Sequence, residues 1–428
     1  MRLNKNYPPV AVSTSTMSPE TRRWAIVFLI FFITIVNYLD RQVLSILKPI
    51  LKDEFALTDQ GYALVVNLFT VCYALMYPLS GWLVDKFGAR KTMVFGIFGW
   101  SIASICTGLS NTFLTFAFSR CLLGLCEPTT YPAQIKVITT WFSGKQRATA
   151  NTLSVAGGPI GAIIAPPFIA WLVLKLDWHW AFIIPGIIGI VIAVIWMLLY
   201  REAPANVLEE SARLETAGFS TSSFKWSRLW GRRSLWGIIL VRFITDPVWY
   251  FCAFWMPGYL QEKTGLSLSQ MGKYGWIPFL IGNVVAFGTA AWSDKRVKRG
   301  TTPLRSRKIM LTLISVLMPL MLFIPNDGGV VVTMFKFCVI AGVALSWTYT
   351  AGMLPAETFP LKNGSSVMGI SAGIGAVGAV FFNYLIGQVM GSPAGVEWIF
   401  IGIAVLHPLG LIPLWTMLKR ETPQEVKG

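Results

Sequence analysis

Acidic side chains are scarce in this sequence. Only 20 Asp and Glu stand against 36 Lys and Arg, and charged residues make up 13% of the 428 positions. An ordinary soluble domain carries about twice that share of charge. Histidine occurs twice, as His179 and His407, with no carboxylate cluster or nucleophile motif around either. The six cysteines lie inside apolar segments. Their spacing suits neither a metal site nor a redox pair, so they read as small packing residues. There is no glycine-rich nucleotide loop, no ATPase motif, no low-complexity tract and no series of ten-residue alternating strands. These absences argue against an enzyme, a metal or organic cofactor, an ATP-driven machine and a transmembrane β-barrel. The net charge of +16 remains to be explained. Nucleic-acid binders gather basic residues on a solvated face, and this chain is too apolar for that, so nucleic acid is not the expected partner.

Apolar residues are abundant. Hydrophobic residues are 54% and aromatics 14%, with 18 Trp, and mean hydropathy is +0.59. Tryptophan at this level suits interfacial belts. A helix crossing a bilayer needs roughly 20 apolar residues. Twelve such runs can be marked: 24–47, 61–84, 91–110, 112–138, 147–174, 178–200, 235–260, 270–292, 308–325, 330–352, 364–390 and 396–418. The first is too long for a signal-peptide core and has no suitable cleavage site, so it reads as a retained span. The longest polar stretch, 201–234, divides the chain into six helices plus six. The expected organisation is an N-terminal tail 1–23, a first half 24–200, a central loop 201–234, a second half 235–418 and a C-terminal tail 419–428. With the N-terminus in the cytoplasm, 26 of the 36 basic residues fall in cytoplasmic segments. That bias predicts that both termini are cytoplasmic. The expectation is an all-α, multi-pass protein of the cell membrane (the inner membrane if the source is Gram-negative), in contact with the lipid bilayer and working as a monomer.

The loop between the second and third runs reads Gly81-Trp82-Leu83-Val84-Asp85-Lys86-Phe87-Gly88-Ala89-Arg90-Lys91. A weaker echo, Ser293-Asp294-Lys295-Arg296, follows 209 residues after Asp85 at the equivalent place in the second half. Internal repeats of this kind are expected where two halves rock about a central site. The stretch from Gly81 to Lys91 resembles the loop 2–3 signature of the major facilitator superfamily, with every defined position filled. The resemblance implies twelve helices in two six-helix halves. Asp85 and Arg90 are then gating charges, because an acidic side chain at a helix end facing basic residues can form a breakable lock.

Ionisable residues within apolar spans are functional candidates by default. They are Asp40, Arg41, Arg120, Glu127, Arg242, Asp246 and Lys336. In the first span Asn37, Tyr38 and Arg41 share a face at i,i+4 and i,i+3, while Asp40 points about 100° away from Arg41. This predicts that Arg41 faces a cavity and Asp40 a helix–helix crevice. Arg120 and Glu127 lie on one stripe about 10.5 Å apart along the axis, too far to pair within one helix. Arg242 and Asp246 can pair within theirs, ahead of Pro247, and read either as a gating or structural charge pair at a proline kink or as binding residues. Trp249 can stack on a sugar ring or pack as a belt residue. Asn383, in a glycine-rich helix, can bond a hydroxylated substrate or bridge helices. Lys336 reads as snorkelling or lining an outer vestibule. Three arginines then balance three carboxylates, and protonating Asp40 and Glu127 leaves a core of +2 that favours an anion. By reciprocity, binding the anion favours protonation.

Asn37-Tyr38-Leu39-Asp40-Arg41 and Arg120-Cys121-Leu122-Leu123-Gly124-Leu125-Cys126-Glu127-Pro128 are similar to the helix 1 and helix 4 signatures of the anion:cation symporter family. That family moves sugar acids and other organic anions with protons. The resemblance implies that Tyr38, Arg41 and Arg120 bind a carboxylate and that Asp40 and Glu127 handle protons. Asn37, Trp249 and Asn383 complete the expected binding set. The stretch Arg242–Pro247 with Trp249, Trp255 and Pro257, and Gly161–Pro167, are similar to hexuronate transporters. One position departs: galactonate-type members carry Gln where this chain has Gly158, which argues against a galactonate-like substrate. The expected function is proton-coupled symport of a hexuronate by alternating access. The alternatives are another organic anion (aldonate, aldarate, tartrate or aromatic acid), a proton-driven antiporter or exporter, and a non-transporting receptor on the same fold.

Overall fold

A computed structural model describes residues 18–142, 144–201, 229–324, 328–359 and 361–420. These are almost wholly helical, and no strand occurs among the described residues. In chain order the helices are α1 (Pro19–Ile46), α2 (Lys48–Glu54), α3 (Asp59–Gly108), α4 (Phe113–Cys126), α5 (Thr130–Trp141), α6 (Gly144–Val155), α7 (Gly157–Lys175) and α8 (Trp180–Leu199) in the first half. The second half holds α9 (Arg233–Phe254), α10 (Met256–Thr264), α11 (Leu268–Tyr274), α12 (Ile277–Lys298), α13 (Pro303–Ser315), α14 (Leu317–Leu320), α15 (Gly329–Thr358), α16 (Leu361–Val389) and α17 (Pro393–Thr416).

Local chemistry explains the boundaries. Ser18 caps α1 by accepting from the Thr21 amide, with Pro19 at the first turn. Thr58 caps α3 and Ser392 caps α17 in the same way. Ser267 and Gln270 form a reciprocal capping box on α11. In α3 the backbone breaks at Gly88, where φ is +82°, a conformation glycine adopts without steric cost. The second arm then runs back: Arg90 reaches the Met197 carbonyl at the end of α8, and Gly108 lies against His179 at its start. The run expected over 112–138 is interrupted after α4 by a 3-10 turn, Glu127–Thr129, that contains Pro128. A proline removes a helix hydrogen bond and clashes with the preceding turn. Likewise 147–174 divides into α6 and α7, 235–260 breaks at Trp255, and 270–292 divides into α11 and α12. The central-loop expectation for 202–228 and most of both tails lie outside the described residues.

Among the described residues, ten helices are long and apolar enough to cross a membrane. Their outer faces carry large apolar side chains, with Leu114 78%, Leu198 74% and Val331 80% exposed. In water such a surface would drive association; in hydrocarbon it is the expected exterior. Between helices, small residues permit close approach. A Cβ at Gly161 would stand 2.6 Å from the Ile35 carbonyl oxygen of α1. Lys336 corrects the expectation of a vestibule residue: it is buried, donates to the Ile324 carbonyl at 3.1 Å and lies 4.2 Å from the Phe400 ring centroid.

The halves meet through α1 with α9 and α10, α3 with α16, and α7 with α11 and α12. The side where α1 starts is termed near and the side where it ends far. The described polar bonds between halves gather on the far side. Lys48, wholly buried, bonds Asp59 at 2.9 Å and Glu262 at 2.6 Å, and Lys52 reaches the same two carboxylates at 3.1 and 3.2 Å. The Tyr62 hydroxyl donates to the Phe254 carbonyl at 2.6 Å, Gln261 donates to the Ile46 carbonyl at 2.7 Å, and Gln60 donates to Gln388. The far side is therefore sealed.

Candidate functional site

Beneath that seal lies a cavity between the halves. Its first-half wall includes Tyr38, Arg41, Tyr73 and Tyr77, and its second-half wall includes Arg242, Asp246, Trp249 and Tyr250. Helix periodicity places them. Phe69, Tyr73 and Tyr77 recur every four residues on the first arm of α3. On α9, Arg242, Asp246, Trp249 and Tyr250 lie on one face.

Arg41 projects from α1 into the cavity with a fifth of its side chain exposed, and its Nε donates to Glu127 Oε2 at 2.9 Å. The guanidinium lies 4.8 Å from the Tyr73 ring centroid and 5.4 Å from that of Tyr38, a cation–π arrangement. Glu127, at the end of α4, is 1% exposed, and its Oε1 has no hydrogen-bond partner among the described residues. The Pro128 turn points this carboxylate toward α1 rather than along α4.

Asp40 points the other way, into the crevice between α1, α3 and α8. It is 2% exposed, and its Oδ1 lies 2.7 Å from the Ser104 hydroxyl. The same hydroxyl lies 2.9 Å from the Phe182 carbonyl. One hydroxyl proton cannot serve both acceptors at once. Arg120 is buried in this region, with its guanidinium 4.8 Å from the Phe182 ring centroid and within electrostatic reach of Asp40 and Glu127. Its Nε and Nη2 lack hydrogen-bond partners among the described residues, as does Asn37 Nδ2.

Across the cavity, Arg242 Nε bonds Asp246 Oδ2 at 2.9 Å on one turn of α9. Gly375 of α16 makes room for them: a Cβ there would collide with Asp246 Oδ2 and come within 3.4 Å of Arg242 Cβ. The pair thus lines the cavity wall.

Of the expected residues, Asn37 and Arg120 are buried and are not in the cavity lining, and three more lie elsewhere. Asn383 is not in the cavity wall; it is fully buried and accepts from Trp255 Nε1 at 3.0 Å, under the far-side seal. Asp85 is exposed on the near side and makes no ion pair among the described residues, and Arg90 bonds only within its own half. The second-half counterpart is engaged: Arg307 joins Asp294 at 2.6 Å and Glu357 at 3.2 Å. Gly158 has a clear structural counterpart, since a Cβ there would stand 2.9 Å from the Tyr38 ring. Tyr38 occupies the space a larger residue would need. Tyr73, Tyr77 and Ser104 were not picked out in the sequence; the four-residue recurrence of Tyr73 and Tyr77 was the available signal. No His, Cys, Asp and Glu cluster among the described residues could hold a metal.

The chain is 31% identical to a probable L-galactonate transporter of Escherichia coli (strain K12), over 66% of this chain and 64% of that relative's length. It is 25% identical to the hexuronate transporter of the same organism, over 94% of this chain and 96% of the relative. A solved bacterial homologue of the human lysosomal transporter Spinster, inward-facing and occupied, superposes with a TM-score of 0.74 at 16% identity, over 95% of this chain and all of that one. That likeness concerns fold alone. The Major Facilitator Superfamily model matches residues 30–356, and with the helical architecture and central cavity described above, the chain belongs to that superfamily of membrane transporters.

Proposed function

We propose that this transporter is a proton-coupled symporter of a sugar acid, with a hexuronate as substrate. The observation that carries the reading is Arg41, presented to the cavity while tied to a buried carboxylate with one unbonded oxygen. Burying an anionic oxygen without a donor is costly, and a proton on Glu127 Oε1 removes that cost. It also weakens the hold on Arg41, whose guanidinium then attracts the substrate carboxylate. A second proton on Asp40 lets Asp40 donate to the Ser104 hydroxyl, whose own proton then serves the Phe182 carbonyl. Proton and anion thus favour each other's binding. Tyr38 and Trp249 supply ring faces for a sugar, and Arg120 adds positive charge behind the site. The names of the relatives support the substrate class.

The same reading takes the two arms of α3 as separate crossings and α4–α5 as one bent crossing. That makes twelve, in halves 24–200 and 235–418 on either side of the central loop. The near side is then cytoplasmic, with both termini, and the far-side seal makes this the inward-facing state. The working unit is a monomer in the cell membrane.

The test uses Glu127→Gln in proteoliposomes. Proton-driven accumulation of galacturonate should disappear while exchange of internal for external galacturonate persists. Accumulation at the unaltered rate would refute the coupling role.

A further inference from the structure

Arg242 and Asp246 play no part in the coupling just described. If the pair were only a neutralised helix element at the Pro247 kink, it could be packed out of reach. Instead it lines the same cavity as Arg41, from the opposite half, with 12% of the Arg242 side chain exposed. Tyr250 lies within electrostatic reach of both arginines, which places them across one small chamber.

The two guanidiniums hold their carboxylates in the same way, although that of Arg41 also lies against the Tyr73 side chain. Each uses Nε for its carboxylate, at 2.9 Å. An arginine has five N–H donors in a rigid planar fork, and an Nε contact leaves the Nη edge outside the ion pair. That edge matches a carboxylate in two-point contact. Nothing else is described as bonding Arg242, and the close approach of Gly375 holds the Asp246 end against α16. Both members line the cavity, and the arginine is the more exposed, at 12% of its side chain against 5% for Asp246. Tyr38, Tyr73, Tyr77 and Tyr250 line the same cavity as the two arginines, and tyrosine offers a hydroxyl and a ring face to a hydroxylated carbon chain.

We propose that Arg242 is a second carboxylate-reading residue and that the cavity, besides accepting a hexuronate through Arg41, binds a six-carbon sugar diacid more tightly, with one carboxylate on each arginine. This rests on the sugar-acid reading above. It adds a specificity determinant in the second half, where Asp246 positions the fork through Nε.

The test measures binding of galacturonate and galactarate to the purified full chain by titration calorimetry. The two differ at C1, which is a second carboxylate in open-chain galactarate and the ring-closing aldehyde carbon in galacturonate. Galactarate is expected to bind at least tenfold tighter. In Arg242→Gln/Asp246→Asn, which removes both charges and leaves none buried alone, galactarate affinity should fall at least tenfold more than galacturonate affinity. Arg242→Lys, which keeps the charge and loses the fork, should lose at least threefold of the preference and serves if the double variant does not fold. Equal or weaker galactarate binding to the unaltered protein overturns the proposal, as does an equal fall for both acids in the variants. If neither acid binds, the sugar-acid reading itself falls and this inference with it. Galacturonate binding without a galactarate advantage overturns this inference alone.

Discussion

Arg41 and Arg242 each grip a carboxylate through Nε at 2.9 Å, yet the two pairs are built differently. Arg41 reaches across from α1 to Glu127 at the end of α4, whereas Arg242 and Asp246 sit one turn apart on α9. The first pair depends on how two helices are placed, and a shift or a proton can break it. The second moves as one body with its helix. Unbonded buried polar atoms distinguish the surroundings of the two pairs. Asn37, Arg120 and Glu127 hold them around the first, while the α9 pair has none among the described residues. An unsatisfied cluster in a low-dielectric site changes state readily, and a satisfied one keeps its geometry. The Arg41 cluster is thus suited to coupling and the α9 pair to reading shape.

Substitutions can break or sharpen this contrast. The largest effect is expected at Arg41. Arg41→Gln removes the charge-assisted contact and leaves Glu127 buried alone. At about 1.5–3 kcal/mol for such a bond, binding of every sugar acid should weaken roughly 10- to 100-fold, measured by calorimetry. A variant that weakened only diacids would place Arg41 and Arg242 on an equal footing and end the contrast.

A smaller effect is expected at Gly158. Gly158→Ala puts a methyl 2.9 Å from the Tyr38 ring, an overpacking that typically costs about 1–3 kcal/mol. Because Tyr38 flanks Arg41, galacturonate affinity should fall about tenfold while the protein still folds, as read by thermal unfolding. Unchanged affinity would remove Tyr38 from the binding wall.

The smallest effect concerns the far-side seal, whose charges should not respond where the cavity does. Burial works against the Lys52 ammonium, but attraction to Glu262, with hydrogen bonds to Asp59 and Glu262, outweighs it and raises Lys52 above the ordinary lysine range. A cation raised in this way contributes its stabilisation throughout the pH range below its free value, and loses it only as pH climbs through the raised one. Between about pH 6 and 8, far below the lysine range, the Lys52 contribution should stay constant. Labelling of Asn383→Cys, in a background without native cysteines, by an impermeant thiol reagent from the far side should not change over that interval. A steep change would make the seal part of the proton response.

Helical character, the apolar exterior and the scarcity of intramembrane charge were legible from hydropathy, because a bilayer imposes them on any chain that crosses it. The divergence of Asp40 from Arg41 was legible too, since adjacent residues point about 100° apart on any helix. Helix ends were less so. Pro128 and Gly88 act through local backbone chemistry within long apolar runs that hydropathy alone reads as continuous or merely separated. Asn383 has the same polarity whether it faces a cavity or a tryptophan, so its place under the seal left no mark in the pattern of α16.

The sequence by itself determined which side chains lie in the membrane and which face of its own helix each occupies. Helical periodicity and hydropathy are properties of single segments, and the marked runs carry both. Only the tertiary structure decided the partners: Glu127 bonds Arg41, Ser104 meets Asp40, Tyr38 fills the space beside Gly158, and the Arg242–Asp246 pair lines the same cavity as Arg41. Each of these is a contact between helices, or the siting of a helix among its neighbours. Such placement depends on how small residues let the helices approach, which no single segment encodes.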